Sequence, residues 1–209
     1  MSFKKHESQG TGKYAFLNKG KVVAYVDGKR EEYDSIEGRV LAIDFEMRKY
    51  EDREYEAVVL FMQDGDATEH MLLFPLESGY GSAFCKMAKN VDWKRPLEIS
   101  AKIEEKGSKK YTSMFIKQPD DNGKWTNIKW AYTEAAPLKM PPAEKKKDRN
   151  GEYNDYTKRN EWFRKLLIDY VGKEIKKASP NFDLKKAKDN AKAAQEAKNI
   201  TEPIDDLPF

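Results

Sequence analysis

The chain has very few of the residues that build metal and redox sites. Its 209 residues include two histidines, His6 and His70, and one cysteine, Cys85. A structural zinc site of the usual cysteine and histidine kind needs four ligands, so none is expected, and a single cysteine cannot form a disulfide within the chain. Cys85 is predicted to be a small core residue rather than a nucleophile, because neither histidine lies near it in sequence.

Long apolar runs are also lacking. No stretch approaches the roughly 20 apolar residues that a membrane-spanning helix needs, and the first residues lack the apolar centre of a signal peptide. We therefore expect a cytoplasmic protein that does not contact a membrane.

Motifs that mark common enzymes are missing as well. The sequence has no Walker-type glycine-rich loop, no Gly-x-Ser-x-Gly and no histidine-based acid–base group. Its acidic pairs stand where solvated turns or strand ends are expected. We expect no enzymatic activity and no cofactor; the enzymatic alternative is a metal-dependent nuclease.

Charge is abundant but unevenly distributed. The formal net charge is +3, yet residues 1–30 carry seven basic and two acidic side chains, and residues 31–138 carry fifteen and twenty-one. Residues 139–177 are again basic, with twelve against seven, and residues 201–209 contain three acidic side chains and no basic one. Basic flanks around a slightly acidic centre can guide a polyanion along particular surfaces.

The centre of the chain has the alternating pattern of half-buried strands. Strands are predicted over residues 38–47, with Leu41, Ile43, Phe45 and Met47 on one face, and over residues 55–62 and 70–76. A helix is predicted over residues 79–90, followed by strands over residues 97–103, 109–117 and 124–133. Three strands, a helix and two strands is the order of the OB-fold, a small five-stranded barrel that often binds oligonucleotides.

The remaining segments are appendages to this barrel, so the fold class is mainly β with extra strands, an amphipathic helix and a flexible tail. Residues 14–26 predict an additional strand or hairpin. The predicted divisions are a basic extension over residues 1–32, the OB-fold over 33–133, a proline-rich linker over 134–152, an amphipathic helix over 153–178, a polar tether over 179–200 and an acidic tip over 201–209.

The amphipathic helix carries one apolar stripe with lysine and arginine opposite. The stripe contains Trp162, Phe163, Leu166, Leu167, Tyr170, Val171 and Ile175. We expect it to pack on the barrel or on another subunit rather than to stack on nucleic acid bases.

The strand over residues 109–117 gives the clearest candidate binding surface. Alternation places Lys109, Tyr111, Phe115 and Lys117 on one face and Met114 on the other. If Met114 faces the core, two aromatic rings and two ammonium groups face solvent, where rings can stack on unpaired bases and lysines can meet phosphates. The opposite register would make both rings core residues.

Two further groups repeat this combination. In the last strand, Trp125 and Lys129 share a face with Asn127, opposite Ile128, Trp130 and Tyr132. At the hairpin joining the first two barrel strands lie Arg48, Lys49, Tyr50 and Arg53, where OB-folds often contact oligonucleotides; a solvated hairpin tip is the alternative.

The final residues, Thr201-Glu-Pro-Ile-Asp-Asp-Leu-Pro-Phe209, combine acidic and apolar side chains at a chain end, where no fold requires them. Phe209 suits an apolar pocket, and Asp205, Asp206 and the terminal carboxylate suit a basic rim. Ile204, Leu207 and Pro208 complete this predicted docking peptide.

This ending resembles the acidic tip of single-stranded DNA-binding proteins (SSBs). The resemblance implies binding of exposed single-stranded DNA without strong sequence preference in replication, recombination or repair. It also implies that the tip recruits partner proteins, in the cytoplasm of a bacterium or phage-infected host.

Three features depart from bacterial housekeeping SSBs: the late start of the barrel, the basic helix after it and a Lys/Ala-rich tether. They put the usual homotetramer in doubt and favour a divergent, phage-encoded member. The alternative is an OB-fold RNA-binding or protein-interaction adaptor with no preference for single-stranded DNA.

Overall fold

The computed structural model describes residues 14–26, 29–50, 52–107, 109–133, 138–149 and 151–196, and most of its regular structure is β. The strands are β1 (Tyr14–Asn18), β2 (Lys21–Val26), β3 (Lys29–Tyr33), β4 (Ser35–Tyr50), β5 (Arg53–Gln63), β6 (Glu69–Pro75), β7 (Leu97–Lys106), β8 (Lys109–Pro119), β9 (Trp125–Asn127), β10 (Tyr132–Thr133), β11 (Leu138–Lys139), β12 (Glu144–Asp148) and β13 (Gly151–Asp155). The helices are α1 (Gly79–Met87), α2 (Thr157–Leu166), α3 (Gly172–Ala178) and α4 (Leu184–Glu196), with a 3₁₀ turn over Ala88–Asn90 and a π-helical segment over Leu167–Val171.

Nine strands form one strongly curled sheet in the order β3-β2-β1-β6-β5-β4-β7-β8-β9. Its neighbours are antiparallel except for the parallel pair β1 and β6. The predicted mainly β class is confirmed, and the predicted hairpin over residues 14–26 is the β1–β2 hairpin, which extends the sheet beyond β6.

Strand β4 produces much of the curl because it belongs to both halves of the sheet. Its residues 35–38 pair with β7 and its residues 39–50 pair with β5. The register shifts at Leu41, and such a bulge bends a strand and increases its twist. Ile43 and Phe45 pack towards the inner side of the sheet, whereas Leu41 is the extra residue at the bulge and Met47 is 65% exposed near the hairpin tip.

Close backbone contacts join the two ends of the curl. The turn between β1 and β2 reaches both α1 and β7: the Gly20 N–H donates a 2.9 Å hydrogen bond to Tyr80 Oη of α1, and a Cβ at Gly20 would lie 2.9 Å from the Ile103 nitrogen of β7. The first turn of α1 reaches β8, because a Cβ at Gly79 would lie 1.8 Å from the Thr112 carbonyl oxygen. Glycine at both positions permits this approach.

The inside of the curl holds the larger apolar cluster. The strands contribute side chains such as Val58, Leu60 and Phe74, and α1 contributes Phe84. The helical stripe completes the cluster through Phe163, Leu167, Val171 and Ile175, each at most 1% exposed. The stripe therefore packs on the sheet of the same chain, one of the two partners expected, although Tyr170 is 37% exposed.

The π-helical segment keeps these four side chains on one face. They are spaced four residues apart, and in an α-helix of 3.6 residues per turn each such step rotates the side chain by about 40°. A π-helical turn takes more residues, so it offsets part of this drift. The segment Leu167–Val171 lies in the middle of the stripe, where the correction is needed.

A second apolar cluster lies on the outer side of the sheet. It includes Phe16, Tyr55 and Phe61, and part of its cover is the segment leading into α4. Phe182 packs on Phe61 with ring centroids 6.0 Å apart, Ala187 is 7% exposed, and Lys188 pairs with Asp44. The chain therefore crosses from the inner to the outer side of the sheet between Ala178 and Phe182.

Three segments differ from the sequence-based expectation. The strand predicted over residues 124–133 is broken, because only Trp125–Asn127 continues the large sheet and Tyr132–Thr133 pairs with β11. The β12–β13 hairpin begins in the predicted linker and runs on to Asp155, so the helix predicted from residue 153 begins at Thr157; Met140 of the linker is buried in the inner cluster. The predicted tether begins with residues packed on the sheet, since Phe182 and Leu184 supply the apolar contacts that its lysines do not.

We predict that replacing Gly79 by alanine lowers the free energy of unfolding by about 3 kcal/mol, because the added Cβ overlaps the backbone of β8. Urea unfolding followed by circular dichroism measures the effect. The matched control is Gly65→Ala, where no atom lies within 4 Å of the new Cβ. Equal unfolding midpoints for the two variants would contradict the proposed contact between α1 and β8.

Candidate nucleic-acid interface

The outer side of β8 presents two aromatic rings to solvent. Tyr111 is 49% exposed and Phe115 is 39% exposed, whereas Met114 and Ile116, on the other side of the strand, are buried in the inner cluster. The predicted register is therefore confirmed, and the alternative in which both rings are core residues is wrong. We call Tyr111 and Phe115, with Lys102 and Lys117, the β8 face.

Strand β7 supplies the surroundings of these rings. Ser100 lies opposite Phe115 and Glu104 lies opposite Tyr111. The Lys102 ammonium lies 5.6 Å from the Phe115 ring centroid, close enough for a cation–π contact. Small and polar neighbours leave the rings uncovered, while β7 fixes the strand that carries them.

Each lysine of the β8 face also has an acidic partner. Lys102 Nζ lies 2.7 Å from Glu104 Oε1, and Lys117 Nζ lies 3.2 Å from Glu98 Oε1. Partly exposed pairs of this kind contribute about 0–1 kcal/mol. A phosphate can therefore replace a glutamate at small cost, although the face itself carries little net positive charge.

Trp125 extends the β8 face onto the next strand. It lies opposite Pro119, and Asn127 lies opposite Lys117, so both belong to the outer side of the sheet as predicted. Lys129 does not share this strand, because β9 ends at Asn127. The side chain of Lys129 is exposed in the loop that follows.

The basic cluster at the β4–β5 hairpin is divided by the register of the two strands. Arg48 lies opposite Tyr55, which belongs to the outer cluster, whereas Lys49 alternates to the other side; the backbone of Tyr50 pairs with that of Arg53. Arg48 is half-buried, pairs with Glu46 at 2.6 Å and lies 5.9 Å from the Tyr14 ring centroid. It is held by the protein, whereas Lys49 and Arg53 are exposed.

Some predicted site residues cannot be placed. The side chains of Tyr50 and Lys109 lie outside the described part of the structure. So do all tip residues, which are Ile204, Asp205, Asp206, Leu207, Pro208 and Phe209. Their roles stay predictions.

A basic and aromatic surface that the sequence did not reveal lies beside α1. Trp130 is 52% exposed, with the Lys86 ammonium 4.6 Å from its ring centroid, and the Lys89 ammonium lies 6.0 Å from the ring centroid of Tyr170. We call Lys86, Lys89, Lys129, Trp130 and Tyr170 the Trp130 patch. Strict alternation in a continuous strand assigned Trp130 to the face of Ile128, and this failed because β9 ends at Asn127, which the alternation does not indicate.

Two features are absent from the part of the chain that the structure describes. Within those ranges no three His, Cys, Asp or Glu side chains are grouped so that they could hold a metal ion. Over the same ranges, no helix combines the length and apolarity needed to cross a bilayer.

Comparisons of the chain with protein-family models, with curated proteins and with solved structures give no match. The function must therefore be inferred from the residues and geometry of this chain.

Cys85 is predicted to be unreactive in the native protein. It is fully buried in α1, and this burial raises the pKa of its thiol well above the ordinary value, so little thiolate exists at pH 8. A chromogenic disulfide reagent should react with Cys85 only after urea unfolding. A cysteine placed at the exposed position of Tyr153 is the control and should react at once; equally fast labelling of Cys85 in the folded wild type would contradict the prediction.

Proposed function

We propose that this protein binds single-stranded DNA without strong sequence preference and recruits other proteins through its C-terminal tip. The activity would serve replication, recombination or repair in the cytoplasm of a bacterium or a phage-infected host, as in a divergent SSB. The observation that carries the proposal is the exposure of Tyr111 and Phe115, with Lys102 and Lys117 beside them, on a strand whose other side is core.

We also propose that the curled sheet is an OB-type barrel. The order β4, β5, β6, α1, β7, β8 supports this assignment, as does the pairing of one long strand with both β5 and β7. Helix α1 contacts both β6 and β8, two strands that are not neighbours in the sheet and that would have to meet to close a five-stranded barrel. In this view β1, β2, β3 and β9 are additions to a five-stranded barrel.

Stacking explains why binding would tolerate any sequence. Every base has a π face, and stacking on an aromatic side chain contributes about 1–3 kcal/mol per base. Tyr111 and Phe115 are four residues apart on one strand, which separates them by about 13 Å at about 3.3 Å per residue. They would therefore contact bases that are not adjacent.

Phosphate contacts would supply the salt-dependent part of the affinity. For single strands the logarithm of the binding constant falls with the logarithm of salt concentration with a slope of about −0.7 per phosphate neutralised. The exposed Lys49, Arg53 and Lys129 are candidates besides Lys102 and Lys117. Binding should therefore weaken steeply between low and physiological salt.

One observation favours the alternative adaptor function. Glu98 and Glu104 stand among the lysines of the β8 face, which suits a protein ligand better than it suits a polyanion. An adaptor would bind RNA, duplex and single-stranded DNA equally or not at all, so competition between these nucleic acids separates the two functions.

We predict that replacing both Tyr111 and Phe115 by alanine weakens binding of labelled poly-dT at least tenfold, because two stacking platforms are lost. Fluorescence anisotropy at two salt concentrations, with RNA and duplex competitors, measures the affinity and the preference. Tyr153→Ala is the matched control, since this ring is 47% exposed on the separate β12–β13 sheet. Equal affinity of the double variant and this control would contradict the role of the β8 face.

We predict that deleting residues 205–209 leaves the affinity for poly-dT unchanged or raises it, most clearly at low salt. The tip carries Asp205 and Asp206, whose carboxylates would compete with DNA for basic surfaces. The same anisotropy titration measures this, with the charge-neutral Asp205→Asn and Asp206→Asn double variant as a comparison. Loss of single-strand affinity on deletion would contradict separate roles for barrel and tip.

A further inference from the structure

We propose that the Trp130 patch is a second contact site for the same single strand, with one unpaired base stacked on Trp130 and the neighbouring phosphates near Lys86, Lys89 and Lys129. This inference rests on the proposed function. It assigns a role to a surface that follows the edge strand β9 in the chain and lies beside α1.

The loop that carries Trp130 is fixed at several points. The Ile128 N–H donates to the Ile116 carbonyl at 2.8 Å, and the Ala131 N–H donates to the Lys86 carbonyl at 2.7 Å. The Asn90 amide donates to the Lys129 carbonyl at 3.0 Å. Trp130 therefore stands on a backbone tied to both β8 and α1, and a base that stacks on it need not order a loose loop.

The outward position of Trp130 is not explained by packing. Its neighbours Ala131 and Tyr132 are buried and Ile128 packs on the inner cluster, yet the largest side chain of the loop is half exposed. Burying a large apolar side chain gives about 1.5–3 kcal/mol, which this position gives up in part. A rigid aromatic ring held in solvent is typical of a stacking platform.

The charges around Trp130 favour a polyanion more than those of the β8 face do. The charged side chains on the last turn of α1, the 3₁₀ turn, the loop over residues 128–131 and the π-helical segment are Lys86, Lys89, Lys129 and Asp169. Three cations against one anion contrast with the lysine and glutamate pairs of β7 and β8. The ligand that suits an exposed ring among lysines is a nucleotide with its phosphate.

The two surfaces are close enough for one strand to contact both. Asn127 lies opposite Lys117 at the end of the β8 face, and Trp130 follows three residues later. Three extended residues span at most about 11 Å. A single-stranded DNA whose base stacks on Phe115 can therefore pass Asn127 and Lys129 around the edge of the sheet and reach Trp130. The second contact then forms within one complex, at high effective concentration.

The test uses the full-length protein with oligo-dT of about 4 nucleotides, which is too short to contact both surfaces at once, and of about 30 nucleotides. Trp130→Ala should weaken binding of the long oligonucleotide about tenfold, as expected for one stacked base, and should affect the short one less. Trp130→Phe keeps a ring, so it should retain most of the affinity while losing the part of the tryptophan fluorescence quenching that comes from this site. Trp93→Phe, which removes a buried indole outside both surfaces, is the matched control and should leave the quenching in place.

A charge variant tests the phosphate contacts separately. The double variant Lys89→Gln and Lys129→Gln should make the slope of the logarithm of the binding constant against the logarithm of salt concentration less steep by about 1.4, if each lysine contacts one phosphate. Lys145→Gln with Lys147→Gln, which removes two exposed lysines of the β12–β13 hairpin, should leave the slope unchanged. Thermal unfolding by circular dichroism confirms that the variants are folded.

The outcomes separate the two proposals. If wild-type protein binds no oligo-dT, the proposed function and this inference both fail. A second outcome has three parts: wild type binds oligo-dT, the Tyr111 and Phe115 double variant binds more weakly, and folded Trp130→Ala binds both lengths normally. That outcome supports the β8 face and overturns the Trp130 site. Loss of affinity for the long oligonucleotide in Trp130→Ala, restored in Trp130→Phe, supports the site.

Discussion

The architecture depends on one constraint: a strongly curled sheet that is apolar on both sides has to be covered on both sides. Strands β5 and β6 show it most clearly, because Leu60 and Phe74 face the inner cluster while Phe61 and Leu73 face the outer one. The chain after the sheet meets both needs in turn. Its apolar stripe fills the inside of the curl, and Phe182 and Ala187 then pack on the outside. A sheet buried on both sides has near-continuous apolar strands, as in residues 57–62.

The alternation of side chains was sufficient to predict most of the sheet. The strands from β4 to β8, the helix between them and the exposed rings of Tyr111 and Phe115 follow from periodicity and from the need to bury Met114 and Ile116. Periodicity could not predict the bulge at Leu41 or the end of β9 at Asn127, because both depend on how a strand meets its neighbours. These two features decide where Leu41, Lys129 and Trp130 lie.

The C-terminal segment was harder to predict, because its packing depends on contacts with strands that are distant in sequence. Residues 183–199 have many lysines and alanines, so their own composition indicates a solvated helix. Their packing is set by a few side chains, Phe182, Leu184 and Ala187, which match an outer apolar cluster built by distant strands. The sequence pattern of the segment alone does not show which strands these side chains contact. For the same reason Arg48, which looks like a free cation in the sequence, is held by Glu46 and Tyr14.

The place of the apolar stripe in the chain affects how the protein is made. Phe163, Leu167, Val171 and Ile175 are synthesised after every strand of the large sheet, yet they complete its interior. A nascent chain on the ribosome therefore holds an open apolar trough until the last helices leave the exit tunnel, and unfilled surfaces of this kind are prone to aggregate. The sheet gains its full cohesion only after these helices have emerged, so expression of the protein should depend on chaperones that shield this trough in the meantime.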